Sequence, residues 1–148
     1  MRKLERTKAQ LDNLSEEEHR LMPIITKVFL RTNKIKPIYS KELVKGIIER
    51  RDKLNIKRFS EARLRKIVNY MRVNAILPII STSNGYYLSY EPEDILMMIK
   101  SLMARANAIY AAADGMMILL NNIRLIDEAN KSQDLWDMVD TELDKFKK

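Results

Sequence analysis

Four side chains within one short stretch, Arg63, Arg65, Lys66 and Asn69, carry groups that read nucleobase edges. Guanidinium and ammonium donors suit guanine O6 and N7, and a carboxamide suits adenine N6 and N7. Positive charge is concentrated around them. Residues 34–72 hold 13 Lys/Arg against 4 Asp/Glu, a net of +9, within a chain of net charge +7. Residues 1–76 hold 20 Lys/Arg against 9 Asp/Glu, a net of +11. Residues 77–148 hold 7 against 11, a net of −4. Such asymmetry points to an anion-binding half and a half with another task. A solvated basic surface is the plainer reading of the charge taken by itself.

Groups for covalent or acid–base chemistry are scarce. His19 is the sole histidine, and the chain has no cysteine, which excludes disulfides, thiolate zinc sites and thiolate nucleophiles. Its three glycines, Gly46, Gly85 and Gly115, build no phosphate-cradling loop. Glu16, Glu17 and Glu18 are adjacent, so on a helix they point in different directions. Asp134, Asp137 and Asp140 read as a solvated acidic face. We therefore expect no catalytic residues, no metal and no cofactor.

Helices and one hairpin must position the base-edge candidates. Ser15-Glu16-Glu17-Glu18 is a capping box opening a helix to about Arg31, with Leu21, Ile24, Ile25 and Val28 on one face and a kink or restart expected at Pro23. Lys36–Tyr39 reads as a short edge strand. Ser40 is expected to cap a helix over about 41–51. A longer connection, residues 52–59, ends at Ser60, the cap of a third helix over about 61–74 whose apolar stripe is Leu64, Ile67, Val68 and Met71. In LPIISTSNGYYLSY, residues 77–90, an Asn-Gly pair joins two strand-like runs, the strongest short hairpin signal. One of Tyr86 and Tyr87 is expected to anchor the hairpin, leaving the other at the surface.

The order helix, strand, helix, helix, strand, strand is the winged helix-turn-helix arrangement. SEARLRKIVNYMRVNAILPIISTSNGYYLS resembles the recognition helix and wing of small phage and prophage helix-turn-helix proteins. It is also similar to the N-terminal domain of the biotin-operon repressor type, through the serine-capped helix and the hairpin closing Gly85-Tyr86-Tyr87-Leu88. The resemblance covers roughly residues 38–90. It implies a mainly α fold: three helices plus a β-hairpin wing, followed by a long C-terminal helical segment. It also implies binding to double-stranded DNA. One departure stands out: the family's turn between the second and third helices is tight, whereas this chain inserts IERRDKLNIKRFS.

In such a fold the solvent face of the third helix enters the major groove. That makes Arg63, Arg65, Lys66 and Asn69 the base-edge candidates. Lys41, Lys45, Arg50, Arg51, Lys57, Arg58 and Arg72 are backbone candidates, with Ser83 and Asn84 at the wing tip. The wing has no Lys or Arg and adds little electrostatic attraction.

Beyond Pro92 the apolar residues alternate at spacings of four and three from Ile95 to Ile123, a heptad seam. Ile95, Ile99, Leu102, Ala106, Ile109, Met116 and Leu120 are candidates for a homodimer interface. Gly115 interrupts the helix and offers the competing outcome, a bend into an internal helical hairpin. The expected division is 1–14, a mobile arm; 15–90, a winged-helix DNA-binding domain; 91–126, a helical oligomerisation segment; and 127–148, an acidic, partly helical tail that could dock a protein partner. No apolar run of about 18 residues is uninterrupted, so no membrane span and a cytoplasmic location are expected. The functional expectation is a phage-type DNA-binding protein, acting as a dimeric transcription regulator by site occupancy. The competing readings are a replication or recombination accessory and a protein-interaction module inhibiting a host defence complex.

Overall fold

The structure, a computed structural model, describes residues 12–129 and 135–146. Most of the expected N-terminal arm, residues 1–11, lies outside the described residues, as do 130–134 and 147–148 of the tail. In chain order the elements are α1 (Glu16–Phe29), α2 (Ser40–Glu49), the single-turn α3 (Arg51–Leu54), α4 (Glu61–Val73), β1 (Ile79–Thr82), β2 (Gly85–Leu88), α5 (Pro92–Ala129) and α6 (Leu135–Asp144). The chain is mainly helical, with one antiparallel hairpin and a long C-terminal helix. It divides into two compact units that adjoin in sequence at Lys100 and Ser101.

In the first unit the capping box forms. Glu18 N donates to Ser15 Oγ at 3.2 Å, and Ser15 N donates to Glu18 Oε1 at 2.9 Å. The helix does not restart at Pro23 but runs as one element from Glu16 to Phe29. Leu21 and Ile25 are buried on either side of it and hold both halves to one core, which outweighs the lost backbone bond.

Ser40 does not cap α2. Tyr39 takes the cap position without a side-chain bond, and the Ser40 hydroxyl donates to Glu61 instead. The basic insertion is a folded corner. α3 ends on Asn55 in the left-handed region (φ 52°), and Ile56 and Phe59 beyond it are buried in the common core.

α4 is capped by Ser60, whose hydroxyl accepts from Arg63 N, and it buries the four residues of the expected stripe. Its C-terminus closes with Ile76 N donating to Met71 O (2.8 Å) and Ala75 N to Arg72 O (3.1 Å), with Ala75 at φ 54°.

β1 and β2 pair from Ile79 with Leu88 to Thr82 with Gly85, so Ser83-Asn84, not Asn84-Gly85, forms the two-residue turn. The glycine answers a different demand. Ile38 pairs with Tyr86 through two backbone bonds (2.9 and 2.8 Å), which presses the chain at Ile38 against Gly85. A Cβ at Gly85 would collide with the Ile38 carbonyl, and the residue's φ is 113°.

Both tyrosines are buried, a correction to the expectation that one is exposed. Tyr86 meets Phe29 edge-on at 5.9 Å in the main core. Tyr87 packs with Ile80 under Met98 and Ile95, because the first turns of α5 cover the other side of the hairpin. Three bonds hold this arrangement: the Ser89 hydroxyl donates to Asp94 (2.7 Å), Lys34 pairs with Asp94 (3.2 Å), and Arg72 donates to the Ile79 carbonyl (2.9 Å). The Ser89 hydroxyl first, and Lys34 second, hold the Asp94 carboxyl below the usual carboxylate range.

In the second unit, α5 continues as one helix through the Gly115 position, so the break into an internal hairpin at that residue does not form. α6 is the amphipathic tail helix, with Met138 and Val139 half-buried and Trp136 and Leu143 exposed. By length and composition the helix over Pro92–Glu128 qualifies to cross a membrane, its most apolar 18-residue stretch having a mean hydropathy of 1.2. That corrects the expectation that no segment qualifies, which demanded an uninterrupted run. Isolated polar residues such as Asn107 and Asp114 leave the mean high.

Candidate nucleic-acid interface

α4 has two polar sides of opposite character. One side faces the N-terminus of α1. There Lys66 Nζ lies 2.7 Å from Glu18 Oε1, and Arg63 lies 3.4 Å from both Glu18 and Glu17. Arg63 also donates to the Arg58 carbonyl and to Ser15 Oγ. Below them Tyr70 meets the His19 ring edge-on at 5.6 Å, and His19 Nε2 lies 2.8 Å from Asp12. Glu18 is only 2% exposed. Burial pushes its carboxyl up, but the hydrogen bond from Lys66, the contacts with Ser15 and the Lys66 charge outweigh that and hold it at about 2.

The other side of α4 is bare. Ala62, Arg65 and Asn69 are exposed and lie along one stripe, one helical turn separating Arg65 from Asn69. Arg72, a further turn along, reaches the hairpin and is half-buried there. Of the four base-edge candidates, then, Arg65 and Asn69 stand on the solvent face, whereas Arg63 and Lys66 are turned toward α1. The signal for this lay in Glu18. A capping-box glutamate that also falls on the buried side of its helix needs cations from a neighbouring element.

Lys41, Lys45, Arg50, Arg51, Lys57 and Arg58 are all exposed. Lys45 and Arg50 each reach Glu49 at 4.0 Å, at exposed positions where such pairs add little. Arg51, Lys57 and Arg58 line an open depression with Arg63 beside Ser60, at the start of α4. Among the described residues, Arg51, Lys53, Lys57, Arg58 and Arg65 have no carboxylate within ion-pair distance. Lys53 was not singled out by sequence pattern. Ser83 and Asn84 are exposed at the hairpin tip.

The seam candidates divide. Ile95 is half-buried against the hairpin. Ile99, Leu102, Ala106, Ile109, Met116 and Leu120 are exposed in the single chain. In α6, Asp137, Asp140 and Glu142 are exposed, and Glu142 pairs with Lys145 at 2.8 Å. Comparison with protein families, curated proteins and solved structures finds no match to this chain.

Proposed function

We propose that this chain is a winged-helix DNA-binding protein that regulates transcription as a dimer by occupying its site. The observation that carries the reading is the contrast between the two sides of α4. Arg63 and Lys66, which face α1, are neutralised by carboxylates, while Arg65 on the open side and Arg51, Lys57 and Arg58 beside the start of α4 have none within ion-pair distance among the described residues. Unpaired, solvated cations grouped around one exposed helix are the footprint of a polyanion partner.

The element order and the Ile38–Tyr86 bridge support the winged arrangement, with α4 as the recognition helix and the hairpin as the wing. On this reading Arg65 and Asn69 are the base readers. Arg51, Lys57 and Arg58 contact phosphate beside the start of α4, where unpaired helix amides add to the attraction. Arg63, Lys66 and Arg72 hold the reading helix in place.

The test is fluorescence anisotropy of a random-sequence duplex titrated with the full chain at several salt concentrations. Affinity should fall with salt at a log–log slope of roughly −0.9 per neutralised phosphate. Arg65→Ala/Asn69→Ala should weaken binding, and selection from a random pool should return a preferred site for the wild type and a relaxed one for the variant. Absence of duplex binding at low salt overturns the proposal.

A further inference from the structure

The large aliphatic side chains of α5 from Ile99 to Ile126 are all at least 37% exposed. Lys100, Asn107, Asp114, Asn121 and Glu128 recur every seven residues along the same helix and form one polar stripe. Lipid on every side leaves no use for such a stripe, whereas a helix sharing a seam with another helix needs one. The occupant of the apolar face is therefore a helix.

We infer that the occupant is α5 of a second copy of this chain, running antiparallel and centred on Ala111. The seam contains two small residues, Ala106 and Ala113, among large ones. In a parallel pair each seam residue meets its own copy. Ala106 would face Ala106 and Ala113 would face Ala113, while Ile109 between them holds the helices apart. Two layers would then be voids. Reversing one helix about Ala111 removes both voids. Ala106 then faces Met116, Ala113 faces Ile109, Leu102 faces Leu120, and Ile99 faces Ile123.

Every layer now holds at least one large side chain, and each alanine receives its partner's bulk. The reversal also pairs a with d positions, as antiparallel packing of heptads demands, and opposes the two helix dipoles. At 1.5 Å per residue the seam from Ile99 to Ile123 is about 37 Å long. The inference rests on the dimer of the proposed function but not on its DNA binding: a monomer mass ends the pairing and the dimer together, a wrong cross-link ends the register alone, and duplex titration tests the DNA binding separately.

Because the chain has no cysteine, introduced thiols report cleanly. Full-length Ala106→Cys and Met116→Cys chains, carrying tags of different size, are mixed, allowed to exchange and joined by oxidation or a short bis-maleimide. The expected product is the mixed 106–116 adduct, with little adduct from either chain alone. Ala106→Cys linking to itself as readily as to Met116→Cys overturns the antiparallel register. A monomer mass by light scattering overturns the pairing.

Ala113→Ile gives an independent readout. It overfills a layer already occupied by Ile109, so dimer affinity should fall roughly tenfold. A rise in affinity instead reports a parallel void being filled and overturns the register. Flotation with phosphatidylcholine–phosphatidylglycerol vesicles should leave the protein unbound, and co-flotation assigns the face to lipid instead.

Discussion

The region from Glu16 to Met98 buries a core of its own, and the rest of α5 does not. Phe29, Ile25, Leu64 and Met71 are fully buried, whereas Ile109, Met116, Ile118 and Leu125 each expose more than half of their surface. Both regions are rich in aliphatic residues, so composition does not separate them. Connectivity does. Short helices joined by corners fold back on one another into a core, while in the 38-residue α5 the large aliphatic side chains from Ile99 onward are exposed.

The sharpest way to break this comparison is to make equivalent deletions in both regions. Phe29→Ala removes a side chain that is 0% exposed, and should cost about 4 kcal/mol whatever the protein concentration. Ile109→Ala should leave the monomer's stability near that of the wild type. Its cost should appear only as a weaker, concentration-dependent association. Denaturant melts over a hundredfold range of protein concentration read both effects. A concentration-independent loss for Ile109→Ala would show that the helix is covered within its own chain.

Next in size is Gly85→Ala. The added carbon meets the Ile38 carbonyl, and φ 113° is strained for any residue with a side chain. The expected loss is about 3 kcal/mol, together with loss of the Ile38–Tyr86 bridge, read by thermal melting and by amide exchange at those two residues. A loss below about 1 kcal/mol would mean that the junction between the hairpin and Ile38 yields easily.

What the residue pattern makes legible follows the range of the interactions involved. The caps at Ser15 and Ser60, the stripe Leu64–Ile67–Val68–Met71 and the hairpin are visible because each is set by neighbours within a few positions. Ser40 misleads because a hydroxyl is free to serve a distant partner, here Glu61, as well as its own helix. No restart occurs at Pro23, because tertiary packing of Leu21 and Ile25 overrides the local penalty. The buried Tyr87 depends on α5 returning to the hairpin, which no local spacing announces. Within the candidate site, the basic stretch is legible as charge. That a buried capping-box Glu18 must draw cations from a neighbouring element is legible too, but that these are Arg63 and Lys66 and not Arg65 is not, because that depends on which way α1 faces.

Glu18 tests the paired side of α4. Its carboxyl sits at about 2 in the folded chain against an ordinary value of 4.5. As pH falls, the unfolded chain therefore takes up the proton first. The stabilisation is complete above about 4.5, declines between 4.5 and 2, and is gone below that range. Glu18→Gln should thus cost about 2 to 3 kcal/mol at neutral pH, and the gap between variant and wild type should close as pH is lowered through that window. Urea melts at pH 7, 4 and 3 give the comparison. A gap that stays constant over this range would show that the carboxylate's charge contributes nothing beyond its hydrogen bonds.

The smallest expected effect runs in the opposite direction. Ala75 closes α4 in the left-handed region at φ 54°, where its two backbone bonds complete the helix end. Glycine is the usual residue there because it has no Cβ to clash with the following carbonyl. Ala75 is exposed, so its methyl group contributes little packing that the substitution would forfeit. Ala75→Gly relieves strain in the folded chain and loosens the unfolded one, and at a left-handed position the first effect is the larger. The net expectation is a gain of about 0.5 to 1 kcal/mol, seen as a higher midpoint in urea with an unchanged slope. Because Ala75 lies just past the end of α4, the gain should accompany tighter duplex binding only if fraying of the helix's last turn disturbs Asn69. Unchanged affinity alongside a raised midpoint would place the reading stripe wholly on the firm part of the helix.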